Sequence, residues 1–133
     1  MTAAANALLK ALHQRLSGDP ALSAIIGPDG VRDRLLPRPQ LPAVVFGDLD
    51  TRDYSTDGDL GAEHLLTLAI WSDGEGRCQG QEIAGRVHDL LHDASLDLGG
   101  VVLVNLLVTG MRSRREAKTK FYLVEMRLRA VTE

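Results

Sequence analysis

The sequence predicts an α+β fold: a mostly antiparallel or mixed sheet with an N-terminal helix and one long helix packed on it. Three observations carry that expectation. Leucines recur at helical spacing near the start, a second helical stripe runs over 83–94, and the segments 62–71 and 122–130 alternate in the manner of strands. At 133 residues the chain has the length of one core, since domains usually run to roughly 100–150 residues. One domain over 1–133 is therefore expected.

Ala5, Leu8, Leu9, Leu12 and Leu16 share one helical face, with Asn6, Lys10, Gln14 and Arg15 off it, and Gly18 ends the helix. Asp19-Pro20 supplies an N-cap and a proline at the first helical position, and Gly27-Pro28 stops the short helix expected over 20–26. Val31 to Leu36 reads as a brief extended piece. The prolines at 37, 39 and 42 keep the connection after it out of any central strand. Ala43 to Phe46 is a compact β-prone run ending at Gly47. From Asp48 to Gly61 the chain turns polar and acidic, a loop or a hairpin extension, with Ser55-Thr56-Asp57-Gly58 as turn chemistry.

From Ala62 to Trp71, His64, Leu66, Leu68 and Ile70 line one face and Glu63, Leu65, Thr67, Ala69 and Trp71 the other. A glycine-rich turn, Ser72 to Gly76, leads into a helix whose stripe is Ile83, Ala84, Val87, Leu90, Leu91 and Ala94. Val101 to Met111 is apolar on both faces apart from Asn105 and Thr109, the pattern of a central strand covered on both sides. Tyr122, Val124, Met126, Leu128 and Ala130 alternate with Glu125, Arg127 and Arg129, which fits a half-buried strand beside it.

Composition narrows the function. Fifteen Lys and Arg against 18 Asp and Glu leave a net charge of -3, contrary to a generally basic nucleic-acid coat. Aromatic residues make up 4%, too few for a base-stacking platform. The apolar run Val101 to Val108 is far shorter than the roughly 20 residues of a membrane helix, and no basic segment precedes the first leucines as in a signal peptide. Cys78 is the single cysteine, so neither an internal disulfide nor a four-cysteine zinc site is possible, and assembly inside the cell is expected.

Four candidate chemistries fail on spacing. Gly74-Glu75-Gly76-Arg77-Cys78-Gln79-Gly80 sits between strand and helix, where dinucleotide fingerprints occur. It reads G-x-G-x-x-x-G, however, and Asp73 and Glu75 place carboxylates where a pyrophosphate would rest. His88 and His92 are an i, i+4 pair beside Asp89 and Asp93, but they lie off the apolar stripe, and two imidazoles are short of the three or four ligands zinc takes. Cys78, at the start of the long helix, has its nearest histidine in sequence several turns away. The aspartates of 48–59 match no calcium loop. No catalytic, cofactor-binding or metal-binding residue is assigned, and no enzyme is expected.

The charge pattern is more informative. Residues 48–59 carry Asp48, Asp50, Asp53, Asp57 and Asp59 against Arg52, a net of -4. Residues 112–120 carry Arg112, Arg114, Arg115, Lys118 and Lys120 against Glu116, a net of +4. Both blocks read as inter-strand connections. The plain reading is two solvated loops. The sharper ones are that the basic loop meets phosphate, or that the two loops meet across a head-to-tail subunit contact.

Over most of its length the sequence resembles the small tail-terminator, or tail-completion, proteins of long-tailed phages and phage-derived gene transfer agents. The residues that carry the resemblance are Leu41 to Asp48, Ser55 to Gly58, Gly61 to Ser72, Ile83 to Leu91 and the closing strand Tyr122 to Val131, in the family's order. It implies a structural virion protein at the tail–neck junction, assembled in the cytoplasm. It further implies a ring, commonly of six subunits, that caps the tail tube and joins it to the head's connector or stopper, leaving a channel for DNA. Its partners would be copies of itself, the tube protein, the connector and the passing DNA, with no membrane. The ten charged residues named above are the expected subunit contact. A small nucleic-acid-binding module using 112–120 is the alternative, and a nucleotide-binding enzyme using 73–80 a third.

Overall fold

The computed structural model describes residues 2–34, 40–58, 60–74 and 76–133. In chain order the elements are α1 (Thr2–Ser17), α2 (Pro20–Ile26), β1 (Val31–Arg32), β2 (Ala43–Asp53), β3 (Ala62–Ser72), α3 (Cys78–Leu91), β4 (Leu103–Arg115) and β5 (Tyr122–Thr132). They form one five-stranded mixed sheet of order β1-β2-β3-β5-β4, antiparallel except for the β1–β2 pair. The α+β expectation holds, with helices packed on one face of the sheet. Of the expected extended piece at 31–36, only Val31–Arg32 pairs as a strand. Leu35, Leu36 and the prolines at 37 and 39 lie outside the described residues.

The core forms where the apolar helical stripes meet one sheet face. Leu8, Leu12 and Leu16 of α1, Leu22 and Ile26 of α2, and Ile83, Val87 and Leu91 of α3 pack over Val44, Phe46, Leu66, Leu68, Ile70, Val124, Met126 and Leu128. Strand alternation sets which side chains take part. In β3 the even-numbered residues are all buried and the odd-numbered ones half-buried. Gly80 is buried where α3 meets the sheet, beside Val124 and Ser72. Ala94 lies beyond the helix end but still packs on the core.

Asp19 ties the two shorter layers together. Its carboxylate caps α2 by accepting from the Leu22 N–H at 2.9 Å and accepts two hydrogen bonds from Arg86 of α3, at 2.6 and 2.9 Å. Arg86 first, and the Leu22 amide second, hold the Asp19 pKa at about 2, below its ordinary 3.8. Stability from this carboxylate is thus complete above about pH 4 and is lost as pH falls toward 2. Thermal unfolding followed from pH 5 to pH 2 should show that decline, and Asp19→Asn should flatten it.

Two sequence expectations need correction. Val101 to Met111 is not a central strand: β4 runs over Leu103–Arg115 and is an edge of the sheet, paired only with β5. Its apolar residues fall on both faces because one face joins the core through Leu106 and Val108. Val102, just before the strand, and Val104 and Met111 within it stay exposed. The strand that starts at Ala43 does not end at Gly47 either, and of the two readings of the acidic segment the hairpin extension holds. β2 continues through Asp53, and after a bulge between Phe46 and Leu49 it pairs with Ala62 to Leu66 as a hairpin arm.

Candidate assembly surfaces

The antiparallel register places the two charged blocks at opposite ends of the sheet. Asp53, Ala62, Thr132 and Leu103 lie at one end; Ala43, Ser72, Tyr122 and Arg115 lie at the other. Their outermost members, Asp53 and Arg115, are separated by the 11 residues of β3, roughly 35 Å at about 3.3 Å per residue. Inner members, such as Asp50 and Arg112, differ by roughly 13 Å along the strands and by three strand spacings, roughly 14 Å, across the sheet. Opposite charges so far apart cannot neutralise each other within one chain, since screening is nearly complete beyond roughly 10 Å in physiological salt.

The acidic block is only partly a connection. Asp48 and Asp50 lie on β2, Asp53 ends it, and Asp57 sits in the turn; Asp59 lies outside the described residues. The Ser55 hydroxyl donates to Asp53 Oδ1 at 2.5 Å and the Ser55 N–H does so at 3.0 Å, which holds the Asp53 carboxyl below its ordinary pKa. Gly58, at φ 90°, supplies the left-handed residue of the turn. The base of the arm is stiffened by Arg129 of β5, which donates to Glu63 Oε2 at 2.6 Å and lies 5.5 Å from the Tyr54 ring centroid.

Beneath the arm His64 is fully buried, with Nδ1 2.9 Å from Thr51 Oγ1 and Nε2 3.0 Å from Thr132 Oγ1, a polar link across β2, β3 and β5. A neutral imidazole satisfies both hydroxyls, donating to one and accepting from the other. Burial pushes its pKa down and favours that neutral form.

The basic block is likewise more strand than loop. Arg112, Arg114 and Arg115 lie on β4, and Lys118 and Lys120 in the turn to β5. Glu116 organises that turn: its carboxylate accepts from the N–H groups of Lys118 (2.9 Å) and Thr119 (3.2 Å), which lower its pKa. Arg114 is engaged within the chain, 3.2 Å from Glu125 and 3.8 Å from Glu116. Among the described residues Arg112, Arg115, Lys118 and Lys120 form no ion pair.

The histidine pair takes a structural position. His88 and His92 stack at 4.7 Å, and His92 Nδ1 accepts the Val108 N–H at 3.0 Å while the Asp93 N–H donates to Leu106 O at 2.7 Å. The end of α3 thus covers the outer edge of β4 at 106–108, a role that sequence spacing alone did not reveal. Among the described residues no group of three or more His, Cys, Asp or Glu is placed to hold a metal. Cys78 is exposed at the first turn of α3, and Glu75 of the glycine-rich segment lies outside the described residues.

Sequence reading also missed an apolar cluster at the acidic end. Tyr54, Leu60, Val102 and Val104 are 51%, 76%, 60% and 49% exposed. A shallow cavity of about 170 Å³ lies among Tyr54, Leu60, Val104, Asn105, Arg129 and Val131. The signal is present in the apolar residues 101–104, but a strand apolar on both faces reads as central, and so its residues read as core. No described helix is long and apolar enough to cross a membrane.

A one-sided sheet with charged extensions at both ends and exposed apolar side chains has the makings of an assembly subunit. The whole fold is similar to a chain in the virion of a native gene transfer agent particle. That chain is 30% identical, with a TM-score of 0.88, and the match covers 98% of this chain and 97% of that one. A comparison with curated protein sequences finds no match. The class is that of structural proteins of phage-like particles. More specifically, the family model described as tail completion protein gp17 matches residues 10–133, and the chain belongs to that family. The resemblance drawn from the sequence is borne out.

Proposed function

We propose that residues 1–133 act as one tail-terminator-like domain that forms a ring, closing the finished tail tube, joining it to the connector at the head, and leaving a channel for DNA. The observation that carries this reading is the placement of a net -4 block and a net +4 block at opposite ends of one rigid sheet. Such a subunit can join head to tail, acidic block to basic block, and head-to-tail contacts close into a ring where the rotation between copies closes. Asp48, Asp50, Asp53, Asp57 and Asp59 on one copy and Arg112, Arg114, Arg115, Lys118 and Lys120 on the next are the proposed contact. Six copies, the tube protein and the connector are the stoichiometry and partners implied by the resemblance. The role needs no catalytic residue and no cofactor.

Removing the protein from producing cells should leave heads and tails unjoined, as seen by electron microscopy of lysates, and resupplying it should restore joined particles. Joined particles formed without it would overturn the proposal. The nucleic-acid-binding reading rests on the four cations of 112–120 that form no ion pair among the described residues. It predicts DNA binding by the free subunit that weakens steeply with salt and falls when Arg115 and Lys118 become alanine, with assembly unaffected.

A further inference from the structure

Among the described residues, both long edges of the sheet keep a short open stretch. β1 occupies the outer edge of β2 only at Val44 and Val45, and no described strand covers that edge beyond them. The end of α3 covers β4 at 106–108, and no described strand covers β4 from there to its end at Arg115. Peptide groups alternate in direction along an antiparallel strand. Tyr54 N–H donates inward to Gly61 O, so Leu49, Thr51 and Asp53 direct theirs outward; Glu116 N–H donates inward to Phe121 O, so Met111, Ser113 and Arg115 do the same.

The charges decide which edges can meet. One open edge carries Asp48, Asp50 and Asp53, the other Arg112, Arg114 and Arg115. Two acidic edges repel, as do two basic edges, whereas an acidic edge and a basic edge attract. Charged edge residues ordinarily prevent any edge-to-edge pairing. Here their opposite signs prevent pairing of like edges and allow the unlike pair.

We infer that the ring contact is a strand seam, in which β4 of one copy adds antiparallel to the β2 arm of the next with Arg112 opposite Asp50 and Arg114 opposite Asp48. This rests on the ring reading and specifies its interface. In that register Met111 and Ser113 exchange backbone hydrogen bonds with Thr51 and Leu49, and the helix-bearing faces of the two sheets fall on the same side. Met111, 46% exposed in the single chain, then packs beside Leu49 and Thr51 of the next copy.

The geometry of the stagger agrees. Arg112 lies level with Glu125 and Ala69, whereas Asp50 lies level with Leu65. Bringing Asp50 of the next copy beside Arg112 shifts that copy by the distance from Ala69 to Leu65, roughly 13 Å. The repeat β2-β3-β5-β4 is roughly 19 Å wide at about 4.8 Å per strand. The strands then tilt roughly 35° from the ring axis, as they do in closed barrels.

The test is disulfide trapping within purified particles. In a Cys78→Ser background, Arg112→Cys with Asp50→Cys places two thiols on directly opposed, non-hydrogen-bonded residues whose Cα atoms would be about 4.5 Å apart, within disulfide reach. Arg114→Cys with Asp48→Cys is the second pair, should the first fail to fold. Oxidation of particles carrying either pair should give a ladder of covalent oligomers, ending at the ring, on non-reducing gels. A ladder from Asp57→Cys with Lys118→Cys, and none from the two seam pairs, would overturn the seam while leaving the ring intact. Absence of the parent protein from particles would overturn both.

Discussion

Replacing Arg112 with aspartate should reduce incorporation into particles at least about tenfold, the scale expected when like charges are set against each other across an interface. The free protein should melt within a few degrees of the parent, because the new carboxylate is exposed and its cross-strand repulsion with Glu125 costs at most about 1 kcal/mol. Arg112 is exposed and forms no ion pair among the described residues. Arg114 is a poorer probe: it holds ion pairs with Glu125 and Glu116 that its reversal would break, whereas Arg112 stands opposite Glu125 across the strand pair without an ion pair to lose. Asp50→Arg alone should be equally defective, and the double reversal should recover most incorporation. Western blots of purified particles, alongside melting curves of the free proteins, measure both quantities.

The largest expected loss of stability comes from the centre of the sheet. Leu68 is fully buried in the middle strand, opposite Phe46 on one side and Met126 on the other, beneath the helical layer. Leu68→Ala removes buried methyl groups and leaves a cavity whose neighbours relax only partly, which costs about 2–5 kcal/mol. For a chain of this length that corresponds to roughly 10 °C or more in melting temperature. Leu60→Ala is the control: Leu60 is 76% exposed, so its loss should leave the melting temperature nearly unchanged.

Elements with a buried and a wet face were legible in the sequence. α1, α3, β3 and β5 show their periods because solvent takes the other face, so the residues must alternate or recur. α2 was legible through its Asp19-Pro20 start and Gly27 stop. β4 was misplaced for a physical reason: Val104 and Met111 are exposed in the single chain, yet burial by a neighbour and burial in a core demand the same side chains. The β2 arm was legible only as one of two readings, a loop or a hairpin extension, because its ladder bonds to β3 need only backbone and leave Asp48 and Asp50 free to be polar.

The candidate contact divides in the same way. Composition along the chain exposed the two charged blocks, and the order of segments carried the family resemblance. What the sequence could not show was that the blocks sit at opposite ends and on opposite edges, since that follows from strand order and register. Nor could spacing reveal that His92 serves the edge of β4, since its partner is a backbone N–H 16 residues away.

The central claim is a place in the particle, and it is tested most directly by locating the protein there. A tag on the chain, detected by gold labelling in electron micrographs of purified particles, should appear at the head-proximal end of the tail and nowhere else. Intact tailed particles without label, or label spread along the tail or over the head, would contradict the account.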